Sequence, residues 1–167
     1  MSKRVLIHDD EQHTLEYHVR LLREDGYGVD FIEDDARAHR VMTGSDRGHA
    51  LLVLDMMMPA PIGVPAIETE SNNRTGRWFL REYRKACDVA TPVLLYSRLG
   101  EQELLIAGWQ AYEGWHFHGR GATPKPPTDE AERKQRLRDG FKVQVAAKKE
   151  CDPHKFLRLV QEIIGRP

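Results

Sequence analysis

Five short apolar runs alternate with longer segments of helical periodicity, and that alternation leaves few folds open. The runs are Arg4-Val5-Leu6-Ile7, Tyr27 to Ile32, Ala50-Leu51-Leu52-Val53-Leu54, Pro92 to Tyr96 and Val143 to Ala147. Short, mostly apolar runs bounded by polar or turn residues read as strands buried on both faces. Between them, Thr14 to Glu24 presents Leu15, Val19 and Leu22 on one helical face and stops at Asp25-Gly26. Asp34 to Met42, Gly76 to Ala86, Glu101 to Gln110 and Pro153 to Ile164 also read as helices. The last carries Phe156, Leu157, Val160, Ile163 and Ile164 as its apolar face. Strand alternating with helix predicts a doubly wound α/β fold, a five-stranded parallel sheet covered by helices on both faces.

Right-handed crossovers put the carboxyl ends of all five strands on one edge. Asp9 and Asp10, Asp55, Ser97 and the pair Lys148/Lys149 all fall there. Three carboxylates on one crevice repel one another. A hard divalent cation with oxygen ligands resolves that repulsion.

At 167 residues and 40% apolar content the chain fits one domain spanning 1–167. A net charge of −1 gives no general basic field, so direct nucleic-acid binding is not expected. The charge is uneven, acidic up to Glu113 and basic from Gly114 onward. Cys87 and Cys151 form neither a metal-ligand spacing nor a disulfide framework. The start Met-Ser-Lys-Arg-Val-Leu-Ile lacks a signal-peptide pattern, and no run reaches the length of a membrane span. A cytoplasmic protein with free thiols is expected.

Two segments exceed simple connections. Met56 to about Arg74 reads as a long loop containing Pro and Gly. Trp109 to Thr128 mixes aromatics, His, Gly and Pro and reads as a loop or flap. Asp129 to Asp139 then favours a helix, with Asp129 and Glu132 spaced as a capping box. Trp109, Trp115 and Phe117 are expected to pack under that flap, and His116 and His118 to lie on the surface. His8 reads as a structural neighbour of the acids rather than a ligand, because oxygen donors suit a hard cation better. Arg133, Lys134, Arg136 and Arg138 read as a solvated helix face.

These marks resemble the response regulator receiver domain of two-component signalling. The resemblance rests on the Asp9-Asp10-Glu11 turn, Asp55 with Pro59 four residues on, Ser97 after the fourth strand and a lysine after the fifth. Arg74-Thr75-Gly76 resembles the start of the family's third helix. Lys149 through Leu157 resembles its Lys-Pro-x-Asp-Pro-x-x-Leu ending. Glu150 stands where the family has Pro, and Ser97 where Thr is commoner. Val145 and Ala146 occupy the fifth strand, where the family carries a switch aromatic. Spacing from Asp152-Pro153 selects Lys149 as the site lysine, whereas strand phase selects Lys148. The segments 59–74 and 109–139 stand as insertions.

The resemblance implies a flavodoxin-like fold with the strand order 2-1-3-4-5, and a phospho-acceptor rather than an enzyme with an external substrate. Asp55 would take a phosphoryl group from a sensor histidine kinase or a phosphotransfer protein. Mg²⁺ would be held by Asp10, Asp55 and the Met57 carbonyl, with Asp9 acting through water. Lys148 or Lys149 and Ser97 would contact the phosphoryl group, and the output would be an unidentified protein partner or a homodimer. Met57 and Leu99 cannot position water through a polar group, so slow autodephosphorylation is expected. Two rivals remain on sequence grounds: a scaffold of the same fold that is never phosphorylated, and a phosphohydrolase with Asp55 as nucleophile. The second acid such hydrolases place two residues on is here Met57. No helix-turn-helix pattern follows the last helix, which disfavours a DNA-binding regulator.

Overall fold

The computed structural model describes residues 2–44, 48–70, 74–86, 91–117, 125 and 127–167, with the side chains of 115–117 left aside. Five strands, β1 (Arg4–His8), β2 (Gly28–Ile32), β3 (His49–Leu54), β4 (Val93–Ser97) and β5 (Val143–Ala147), form one sheet. Its order is β2-β1-β3-β4-β5 and every pairing is parallel, as expected. The helices are α1 (Gln12–Glu24), α2 (Asp35–Thr43), α3 (Ala66–Thr69), α4 (Thr75–Ala86), α5 (Glu101–Phe117), α6 (Glu130–Phe141) and α7 (Pro153–Ile164). A 3₁₀ turn, Lys148–Glu150, joins β5 to α7. Among the described residues no helix is long and apolar enough to cross a membrane.

Successive side chains of a strand point to opposite faces, so a fully apolar strand needs cover on both. In β3, Leu51 and Val53 join Val5, Ile7, Leu94 and Tyr96 beneath α1 and α7. Leu52 and Leu54 join Leu6, Val93 and Leu95 beneath α2, α4, α5 and α6. Asp34, Asp129 and Asp152 cap α2, α6 and α7 by accepting backbone N–H groups, and Pro153 opens α7. The Asp129 carboxylate takes the Glu132 amide at 2.9 Å, half of the expected capping box.

The segment from Trp109 onward differs from expectation. It is helical through Phe117 rather than a loop or flap. The cause is tertiary: Trp109 and Ala111 are buried, and Tyr112 lies 5.2 Å from the Trp109 ring and 5.3 Å from Phe141 of α6. The α6 hairpin partner thus extends the apolar face of α5 past Gln110. The side chains of Trp115, His116 and Phe117, and all of His118 and Cys87, lie outside the described residues. The other expected loop contains α3, and Ile62 and Ile67 are exposed along it.

The base of that loop is clamped. Thr75 Oγ1 donates to the Met58 carbonyl at 2.6 Å, and the Gly76 amide donates to the Met56 carbonyl at 3.2 Å. A Cβ on Gly76 would stand 2.0 Å from the Asp55 carbonyl oxygen. Only glycine lets α4 rest directly on the Asp55 backbone. Gly76→Ala is expected to lower unfolding free energy by about 1–3 kcal/mol, the usual cost of an added group in a packed site. Urea unfolding checks this; a change below about 0.5 kcal/mol, the range of ordinary surface substitutions, would contradict it.

Candidate functional site

The parallel sheet brings the acids together through its strand ends. The Asp55 amide donates to the His8 carbonyl at 3.0 Å, and the Asp9 amide to the Ile32 carbonyl at 3.3 Å. The ends of β1, β2 and β3 are therefore held edge to edge. Asp9 and Asp55 are buried at 1% and 4% exposure, whereas Asp10 is exposed. One carboxylate oxygen from each of Asp9, Asp10 and Asp55 lies within 4.8 Å of the others.

Each buried carboxylate is aimed by its own turn. Asp55 Oδ1 accepts the amides of Met56 at 2.6 Å and Met57 at 3.2 Å. Asp9 Oδ1 accepts the Glu11 amide at 3.0 Å. Their other oxygens share one cation. Lys148 Nζ donates to Asp9 Oδ2 at 2.6 Å and to Asp55 Oδ2 at 3.1 Å. Lys149 is exposed on the same 3₁₀ turn and does not join the acids, so of the two lysines the one that strand phase selects, Lys148, is the one that contacts them.

Burial pushes the Asp9 carboxyl above its ordinary range, and the Asp55 charge pushes it further, against the opposing pull of Lys148. Burial works against the Lys148 ammonium, but Asp55 and Asp9 outweigh it and hold its pKa above the usual lysine value. Lys148 is therefore charged at neutral pH. Three carboxylates and one ammonium leave two formal negative charges, which a divalent cation would cancel. Octahedral coordination at about 2.1 Å separates opposite ligands by about 4.2 Å. A set of oxygen donors spread over 4.8 Å needs only a small contraction to fit Mg²⁺. Met57 sits in the turn directly after Asp55, with its side chain 39% exposed and its amide on Asp55.

Ser97 ends β4 at the same edge and is fully buried, and its Oγ finds no partner among the described residues. A buried hydroxyl without a partner costs about 1–3 kcal/mol, so Ser97 has hydrogen-bonding capacity to spare at this edge. Arg98, the next residue, ion-pairs with Glu11 across the mouth of the site.

Three further arrangements carried no signal at sequence level. His8, fully buried, pairs its Nε2 with Asp35 Oδ1 at 2.9 Å and sets its ring edge-on to Phe79 at 4.5 Å. Phe79 in turn meets Trp78 at 5.0 Å, and Trp78 stacks on His39 at 5.7 Å. Tyr96, on the opposite face of β4 from Ser97, hydrogen-bonds His18 and the Cys151 carbonyl.

No protein-family model and no curated protein sequence matches the chain. Solved structures do. A CheY-like response regulator receiver domain from Methanospirillum hungatei superposes with a TM-score of 0.62 at 14% identity, covering 98% of this chain and 94% of that one. The chemotaxis protein CheY4 of Vibrio cholerae gives 0.58 at 17% identity, covering 98% and 99%. A response regulator from Thermotoga maritima gives 0.57 at 17%, covering 98% of each chain. The chain has the receiver-domain fold along nearly its whole length.

If the acids form a cation site, Mg²⁺ stabilises the folded state by mass action. At an ion concentration of 100 Kd the gain is about 2.7 kcal/mol. That corresponds to about 5–10 °C in Tm for a chain of this size. The combined substitution Asp9→Asn and Asp55→Asn is expected to abolish the shift in a thermal melt; a full shift in that variant would place ion binding elsewhere. Without ion, the Asp9 contribution has an unusual sign. Its folded pKa is raised, so its contribution is fully present below the ordinary carboxylate pKa and is lost as pH rises through the raised value.

Proposed function

We propose that this protein is a phospho-accepting receiver in which Asp55 takes a phosphoryl group and the modified state alters protein–protein contacts. The observation that carries the reading is Lys148 bridging Asp9 and Asp55 in a site whose acidic donors are all oxygens. The buried, unpartnered Ser97 hydroxyl at the same edge adds to it. A structural ion pair would need one acid, not three converging on one crevice.

The donor is proposed to be a phosphohistidine on a sensor histidine kinase or a phosphotransfer protein. An Asp55 carboxylate oxygen attacks phosphorus, forming the O–P bond of an aspartyl phosphate. The P–N bond to the donor imidazole breaks, and the imidazole keeps the electron pair. The Met56 and Met57 amides orient the Asp55 carboxylate for that approach. The Lys148 ammonium supplies positive charge where the phosphoryl oxygens arrive. The Ser97 hydroxyl donates to the phosphoryl group once it is present, a contact that exists in only one of the two states and so biases between them. Asp9, Asp10, Asp55 and the Met57 carbonyl would hold Mg²⁺, which offsets the charge of the transferred group. The protein acts as a stoichiometric acceptor, not as an enzyme turning over an external substrate.

With Mg²⁺ and a small phosphodonor, intact mass is expected to rise by one phosphoryl group. Asp55→Asn is expected to abolish the rise, and Lys148→Ala to slow it at least about tenfold, the worth of one charge-assisted hydrogen bond. No gain even from a cognate kinase would favour an unphosphorylated scaffold of this fold.

Decay of the aspartyl phosphate is expected to be slow, because the exposed thioether at Met57 cannot orient water. Met57→Asn is expected to shorten the lifetime in a time course of intact mass. A variant that decays no faster than wild type would remove this explanation.

A further inference from the structure

We infer that Tyr96 and His18 are positioning residues for Lys148: their hydrogen-bonded pair fixes the main chain at Cys151 and thereby the turn that delivers the lysine to Asp9 and Asp55. The inference rests on the phospho-acceptor reading and names the device that aims its cation.

Lys148 occupies the first position of the 3₁₀ turn, and three of the carbonyls around that turn are tied down. The Cys151 amide closes on the Lys148 carbonyl at 3.3 Å. Lys155 Nζ donates to the Glu150 carbonyl at 2.8 Å, from an exposed position. The Tyr96 hydroxyl donates to the Cys151 carbonyl at 2.9 Å, from full burial. Only this last tie comes from the sheet itself, one residue before Ser97.

The hydroxyl carries one proton, and the Cys151 carbonyl takes it. The 3.0 Å contact between Tyr96 Oη and His18 Nε2 therefore has His18 donating. The imidazole is then the neutral Nε2–H form, in keeping with burial and the nearby Lys148 charge, which both lower the His18 pKa. Its Nδ1, an acceptor in that form, has no partner among the described residues. The Phe156 ring braces both partners, 4.7 Å from Tyr96 and 5.2 Å from His18. The network thus joins α1, β4 and the start of α7 behind the lysine turn. Asp152, next to Cys151, adds a second fixed point by accepting the amides of His154 and Lys155 at 2.9 Å each.

A group that only supports the core would lower stability and leave the chemistry alone. A group that aims Lys148 acts through Lys148, so its effect vanishes when the lysine is gone. The test is the rate of phosphoryl uptake from a small phosphodonor at saturating Mg²⁺, in wild type, Tyr96→Phe, Lys148→Ala and the double variant. Tyr96→Phe is expected to slow uptake about tenfold, the worth of one ordinary hydrogen bond. Mg²⁺ affinity is expected to stay within about twofold, and the double variant to be no slower than Lys148→Ala alone. If Phe at 96 prevents folding, His18→Leu reads the same question and is expected to slow uptake, again only in the presence of Lys148. Uptake by the folded variant at the wild-type rate, or a loss that persists without Lys148, overturns the inference. A wild type that takes up no phosphoryl group would instead overturn the phospho-acceptor reading beneath it.

Discussion

The arrangement depends on two carboxylates buried side by side. Asp9 and Asp55 end adjacent parallel strands, and right-handed crossovers leave both on the same edge. Among the described residues, Lys148 is the one cation that bonds both. Removing one partner from such a cluster leaves uncompensated buried charge, which is far costlier than losing a surface ion pair. The fold therefore stores its stress at the sheet edge, and the raised pKa of Asp9 is the mark of it.

Most of the scaffold could be read from residues in order. The strands are short apolar runs whose type follows from burial on both faces, and their ends differ from expectation by a residue or two. Asp9, Asp10 and Asp55 follow from the strand ends alone. What escaped was set by contacts across the chain. Gly114 and the mixed aromatics after Trp109 look like loop residues, yet the contact of Tyr112 with Phe141 carries the helix on to Phe117 by giving α5 a second face to bury. His18 and Tyr96 are 78 residues apart and each occupies an ordinary core position, so no spacing could reveal that their polar atoms meet. Lys148 and Lys149 are neighbours whose difference is one step of strand phase, which only the last residues of β5 decide.

The two faces of the sheet divide the work. On one, the rings of His8, Phe79, Trp78 and His39 form an unbroken run from the end of β1 across α4 to α2. On the other, His18, Tyr96 and Phe156 join α1 to α7. Ser97 and Tyr96, successive residues of β4, are buried on opposite sides of the same strand. A displacement of the β4 end would be felt by both packings at once.

The clamp of Met56 by Gly76 and Met58 by Thr75 has a consequence for how this surface can vary. It ties both ends of the loop to fixed backbone at its base, like a purse string. Loop-closure entropy grows only logarithmically, by about 0.6 kcal/mol for each doubling of length. Residues 60–65 are thus a natural splice point, where foreign peptide can be displayed without altering the backbone that carries Asp55.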